Sequence, residues 1–216
     1  MTVTDVAATA VLYPLFLVFG VLQFIVALVI NTPALVAWAL SGKAKRRFLE
    51  SLWGAVHKQP LGRELISTLM GILSTYTGSV SPFIAQVDAT ETLVQLTERP
   101  WLRNPFTSIH ALAIANAAEL ASGLLATRAT EHFGGRVIVT NISVAYDRKA
   151  RGVISCHAQL TPEQVRQVES MASSAQAGKP VDESLVIQVN VLDSKKEIVS
   201  RLQATWVVRV SGGKRA

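Results

Sequence analysis

The chain has 216 residues, a formal net charge of +6, a mean hydropathy of +0.34 and a single cysteine, Cys156. One cysteine excludes an intrachain disulfide, and without a Cys/His ligand spacing no metal site is expected. The basic balance suits an anionic partner, but the basic residues are scattered and no aromatic stacking motif accompanies them, so nucleic-acid binding is not expected.

The apolar excess lies at the N-terminus. No charged side chain occurs from Val6 to Gly42, and Val11 to Ile30 is almost continuously apolar. Crossing the hydrocarbon core of a bilayer takes roughly 20 such residues. Asn31-Thr32-Pro33 reads as a break, with Thr32 as N-cap and Pro33 opening a second helix that runs to about Val56 and turns basic at Lys43, Lys45, Arg46 and Arg47. Residues 1–57 form the hydrophobic N-terminal unit, and residues 7–40 are its membrane anchor. The positive-inside tendency puts the basic end on the cytoplasmic or matrix side, which admits the mitochondrial inner membrane. A cleaved signal peptide fits poorly, because Asp5 precedes the run with no Lys or Arg and the run is too long. A hydrophobic helix buried against protein is the remaining alternative. Trp38 and Trp53 are candidates for an interfacial position.

Residues 58–79 form a connecting segment. Within it Leu61, Leu65, Leu69 and Ile72 recur at helical spacing from Pro60 to Leu73. Gly78 to Pro82 ends helical character and opens the last unit, residues 80–216.

That unit reads as two short strands (Phe83 to Val87, Thr92 to Leu96), a long alanine-rich helix (Thr107 to about Arg128) and four extended segments. The segments are Arg136 to Tyr146, Gly152 to Leu160, Leu185 to Leu192 and Ile198 to Val210. In the first of them Val137 and Val139 fall on one face, and Ile138, Ile142 and Val144 on the other. Thr161-Pro162-Glu163-Gln164 starts a short helix with a capping box. The pattern is α+β, an antiparallel sheet curled around one alanine-rich helix.

Three polar residues mark that helix: Asn104, His110 six residues on, and Glu119 nine further. With this spacing, Tyr146 and Gly152, the stretch from Gly78 to Val210 resembles the hotdog-fold acyl-CoA thioesterases of the phenylacetate-degradation type and their uncharacterised relatives. It departs from them at Thr107 and Ala111, where the family often has glycine, and in having Glu where Asp is commoner. The resemblance implies a hotdog fold and hydrolysis of an acyl-CoA thioester, with no cofactor beyond the coenzyme A of the substrate. It also implies a site shared between subunits of a homodimer or a dimer of dimers. A hotdog hydratase is a weaker alternative, because its His and acid stand further apart. So is a non-catalytic hotdog subunit of a membrane or mitochondrial complex.

Elementary geometry agrees with a shared site. Nine residues of helix place Glu119 about 13.5 Å beyond His110 and half a turn round, so one copy cannot aim both at one atom. Two antiparallel copies can. Glu119 is then the general base or nucleophile, Asn104 holds water or substrate, His110 orients the helix start or thioester, and the Ala111 N–H is the oxyanion donor. Read blandly, Asn104 is only a cap and His110 a satisfied helix residue. Arg148, Lys149 and Arg151 are candidates to bind the phosphates of coenzyme A; the bland reading is a solvated hairpin turn.

Overall fold

The computed structural model describes residues 3–42 and 47–211. The basic positions Lys43, Lys45 and Arg46 lie outside the described residues. The first element is a single helix, α1 (Val3–Leu40). It runs unbroken through Pro14 and Pro33, so the expected break is absent. Thr32 is not a cap: its hydroxyl donates back to the Leu28 carbonyl at 2.8 Å. Asn31 turns inward instead, donating from Nδ2 to the carbonyls of Ala27 (2.8 Å) and Pro60 (3.0 Å). A proline removes one donor from the helical ladder, and the Asn31 tether holds α1 across that gap.

The expected second helix is accordingly divided. Its first residues belong to α1, and the remainder is α2 (Phe48–Val56). The connecting segment holds α3 (Gly62–Leu73) and α4 (Thr75–Val80). Gly62 sits where a side chain has no room, since an added Cβ would lie 1.7 Å from the Val56 carbonyl oxygen. Trp53 is buried and stacks on His57, and Trp38 donates from Nε1 to the Ser51 hydroxyl at 2.8 Å. Trp53 therefore packs within the protein, and Trp38 is half-buried against α2.

Six antiparallel strands follow: β1 (Phe83–Val87), β2 (Glu91–Thr97), β3 (Arg136–Tyr146), β4 (Val153–Gln159), β5 (Val181–Leu192) and β6 (Ile198–Val210). Their order is β1-β2-β4-β5-β6-β3. The helix α5 (Ala111–Thr130) contacts every strand. Period-two alternation sends Leu185, Ile187, Val189 and Val191 of β5 and Leu202, Ala204 and Val208 of β6 inward, all fully or almost fully buried. Each such leucine, isoleucine or valine stabilises the fold by about 1.5–3 kcal/mol. Alanines 113, 117, 118 and 121 let the sheet approach α5 closely. Gly123 does so most, since a Cβ there would meet the Trp206 ring at 2.9 Å. The helix α6 (Pro162–Gln176) begins with the expected capping box and buries Val168 and Met171. This sheet wrapped around a central helix is the hotdog fold.

One strand departs from its expected faces. The β3–β6 register shifts between Val139 and Asn141, and one extra residue reverses the alternation beyond it. Ile142 and Val144 therefore join Val137 and Val139 on the side facing α5, opposite the buried Ala204 and Leu202. Ile138 alone stays outside.

Candidate active site

The N-terminal end of α5 is built by a tight loop. The helix starts at Ala111, later than the expected Thr107, because Asn104 organises the intervening residues. Its Oδ1 accepts from the amides of Phe106 (2.9 Å) and Ser108 (3.2 Å), and its Nδ2 donates to the Ser108 hydroxyl (3.0 Å). Asn104 thus shapes the loop, and its side chain is engaged there. Thr107 takes a left-handed conformation with φ 57°. This is a position where the resembling family often has glycine, and a β-branched residue pays for that φ by about 1–2 kcal/mol. The Thr107 hydroxyl accepts from the Arg151 guanidinium at 3.0 Å.

His110 is the N-cap of α5. Its Nδ1 accepts from the Leu112 amide at 3.1 Å, so in the neutral ring the proton sits on Nε2. That is a role at the helix start, one of the two expected of it. The Ala111 N–H is left over: it has no acceptor among the described residues, as the first amide of a helix does not. The Ala111 carbonyl accepts from the Tyr146 hydroxyl at 2.9 Å. The β3 bulge makes that contact possible, because it turns Tyr146 to the helix side of the strand. Local alternation carried no signal for it, and Tyr146 stood in the sequence only as a point of resemblance.

A cleft of about 390 Å³ opens here, lined among others by Asn104, Ala111, Tyr146, Arg148 and Lys149. The structure thus brings the oxyanion candidate and two of the three basic candidates to one place. It does not leave them equally free. Arg148 pairs with Glu197 and donates to the Ile198 carbonyl (3.1 and 2.8 Å), which locks it to the β5–β6 turn. Arg151 is held by Thr107 and does not line the cleft. Lys149 is exposed, with no partner among the described residues.

Glu119 lies further along α5 and does not line this cleft. It is half-buried, and its carboxylate meets no donor among the described residues. Burial pushes its carboxyl above the ordinary glutamate range. Within one copy, Glu119 and the cleft are separate, as the nine-residue spacing demands. One turn earlier Asn116 donates to the Thr77 hydroxyl at 3.2 Å, and its buried Oδ1 has no partner.

A family described as a domain of unknown function, DUF4442, matches residues 62–208. The chain belongs to that family. No curated protein matches it by sequence. Among solved structures it is similar to a Pseudomonas aeruginosa protein of unknown function called a probable thioesterase, at 20% identity and a TM-score of 0.57, covering 68% of this chain and 94% of that one. It is also similar to a thioesterase from Haemophilus influenzae, at 14% identity and a TM-score of 0.51, covering 68% of this chain and 89% of that one. At such identities the likeness is one of fold, and the fold is that of the hotdog proteins. α1 precedes the matched region and is the one helix among the described residues long and apolar enough to cross a membrane.

Proposed function

We propose that this chain is a membrane-associated acyl-CoA thioesterase whose site is completed by a second copy. The observation that carries this is a half-buried carboxylate without a partner among the described residues, Glu119, on the same helix whose first amide is free at the mouth of a cleft. In a symmetric dimer with antiparallel α5 helices, Glu119 of one copy faces the Ala111 end of the other. Glu119 takes a proton from water, and the hydroxide adds to the thioester carbonyl carbon. The Ala111 N–H receives the developing oxyanion. The C–S bond then breaks, and the coenzyme A thiolate takes up the proton. Lys149 is placed for a coenzyme A phosphate. Exposed Phe106 and Leu112 around the helix start support a partner there, as does the unpaired edge of β3 with its exposed Ile142.

A second reading is favoured by the engaged state of Asn104, His110 and Arg148: a hotdog subunit that binds but does not hydrolyse. Mixing two inactive variants separates the two. Glu119→Gln removes the base. Ala111→Pro removes the oxyanion N–H at a position where proline suits a helix. Each alone is expected to be inactive on acyl-CoAs. Random reassociation of a symmetric dimer restores one intact site in each heterodimer, so the mixture regains about a quarter of wild-type turnover. Wild type without turnover would support the binding subunit. Mixtures that stay inactive would sink the shared site.

A further inference from the structure

α1 is docked along nearly its whole length. Its half-buried and buried positions form one stripe at helical spacing: Tyr13, Phe16, Gly20, Phe24, Ala27, Asn31 and Trp38. Near one end Tyr13 and Phe16 pack on Trp101, with ring centroids 5.0 and 5.1 Å away, and the Arg99 guanidinium sits 4.7 Å over the Phe16 ring. Near the other end Asn31 is tied to Pro60, and Trp38 to Ser51 and Phe48. These anchors are about 38 Å apart at the helical rise. From Val11 to Ile30 the other faces are open and, Gln23 excepted, apolar: Val18, Phe19, Leu22, Ile25 and Val29 are each 50–67% exposed. The apolar surface continues across a groove of about 460 Å³, lined by Leu17 and Val21 on one side and Ile72 on the other.

Hydrocarbon covers such a surface, and the basic run Lys43, Lys45, Arg46 and Arg47 directly after the helix complements anionic headgroups. A helix standing along the membrane normal does not fit. Its 38 residues extend about 57 Å against a core of about 30 Å. Its docked partners would enter the core with it, including Arg99 at one end and α3 with Arg63 and Glu64 in between. A charged side chain at the bilayer centre costs about 2.5–3.5 kcal/mol or more.

We infer that α1 lies in the plane of one membrane leaflet, its docked stripe toward the hotdog domain and its other faces in lipid, so that both its ends stay on one side of the membrane. This rests on the membrane association proposed above. The test uses the whole chain in bacterial cells, carrying Thr4→Cys or Ser41→Cys at exposed positions at the two ends of the helix. The native Cys156 is fully buried with its thiol pushed up to about 12, so it stays silent. A membrane-impermeant maleimide is added to sealed spheroplasts and then after lysis. The two variants are expected in the membrane fraction and to label alike, both only after lysis or both before it. One labelled in sealed spheroplasts and the other only after lysis overturns the in-plane placement while membrane association stands. A soluble protein, including a soluble oligomer that buries α1 between copies, overturns both.

Discussion

Two glutamates at either side of the second half of α5 are both partly withdrawn from water and differ in their partners. Glu119, near the middle of the helix, has no donor among the described residues. Glu131 follows the end of α5 and is 8% exposed. Its two oxygens accept from the amides of Leu49 (2.9 Å) and Glu50 (2.7 Å), so it caps α2 and ties the N-terminal region to the hotdog domain. Burial raises both carboxyls; at Glu131 the two amides and Arg128 pull the other way. A raised pKa by itself therefore does not mark a working acid. What separates the two is whether the neighbourhood has already used the charge.

The sharpest way to break this contrast is Glu119→Gln. Under the proposed mechanism it lowers acyl-CoA turnover by about 100-fold or more, while the melting temperature holds or rises because a half-buried carboxylate without a donor among the described residues is gone. Loss of folding in place of loss of rate would assign Glu119 to structure. Glu131→Ala is expected to do the reverse. One buried and one part-buried amide lose a charged acceptor, which costs about 2–4 kcal/mol of stability in denaturant unfolding, with turnover per folded molecule unchanged.

The pH dependence sharpens the comparison further. A carboxyl raised in the folded chain binds its proton more tightly there than when unfolded. Its favourable contribution is present below the ordinary glutamate range and fades as pH rises through the shifted pKa. The proposed base must be ionised, so kcat/KM should rise with pH across that same window as stability falls. Glu119→Gln should flatten the stability slope; a slope left unchanged would deny the raised carboxyl. The smallest effect is expected at Arg128, whose partly buried pair with Glu50 spans 3.2 Å. Arg128→Gln should cost about 0.5–1 kcal/mol, read from the shift in urea midpoint, and far less than Glu131→Ala.

Much of the architecture was legible in the chain. Phe83–Val87, Arg136–Tyr146 and Ile198–Val210 stand where alternation and turn residues put them. The capping box at Thr161 worked as a local signal should. The apolar run was recognised, but not its continuity through Pro33 or its docking on the domain. Of the candidate site, the sequence put Asn104 before the helix and Glu119 within it, but set His110 inside a helix that begins only at Ala111; the ties of Arg148 to Glu197 and of Arg151 to Thr107 were not readable.

Within the last unit, sequence alone determined the strands, the two helices and their order, because helix and strand periodicity, caps and turn residues act over a few neighbouring positions. Tertiary structure decided which polar groups remain free. Arg148 is claimed by a residue 49 positions away, and Leu49 supplies an amide to Glu131 across 82 positions. Hydrogen-bond capacity is finite and is filled by whatever the fold brings near, so partners that distant leave no trace in a local pattern.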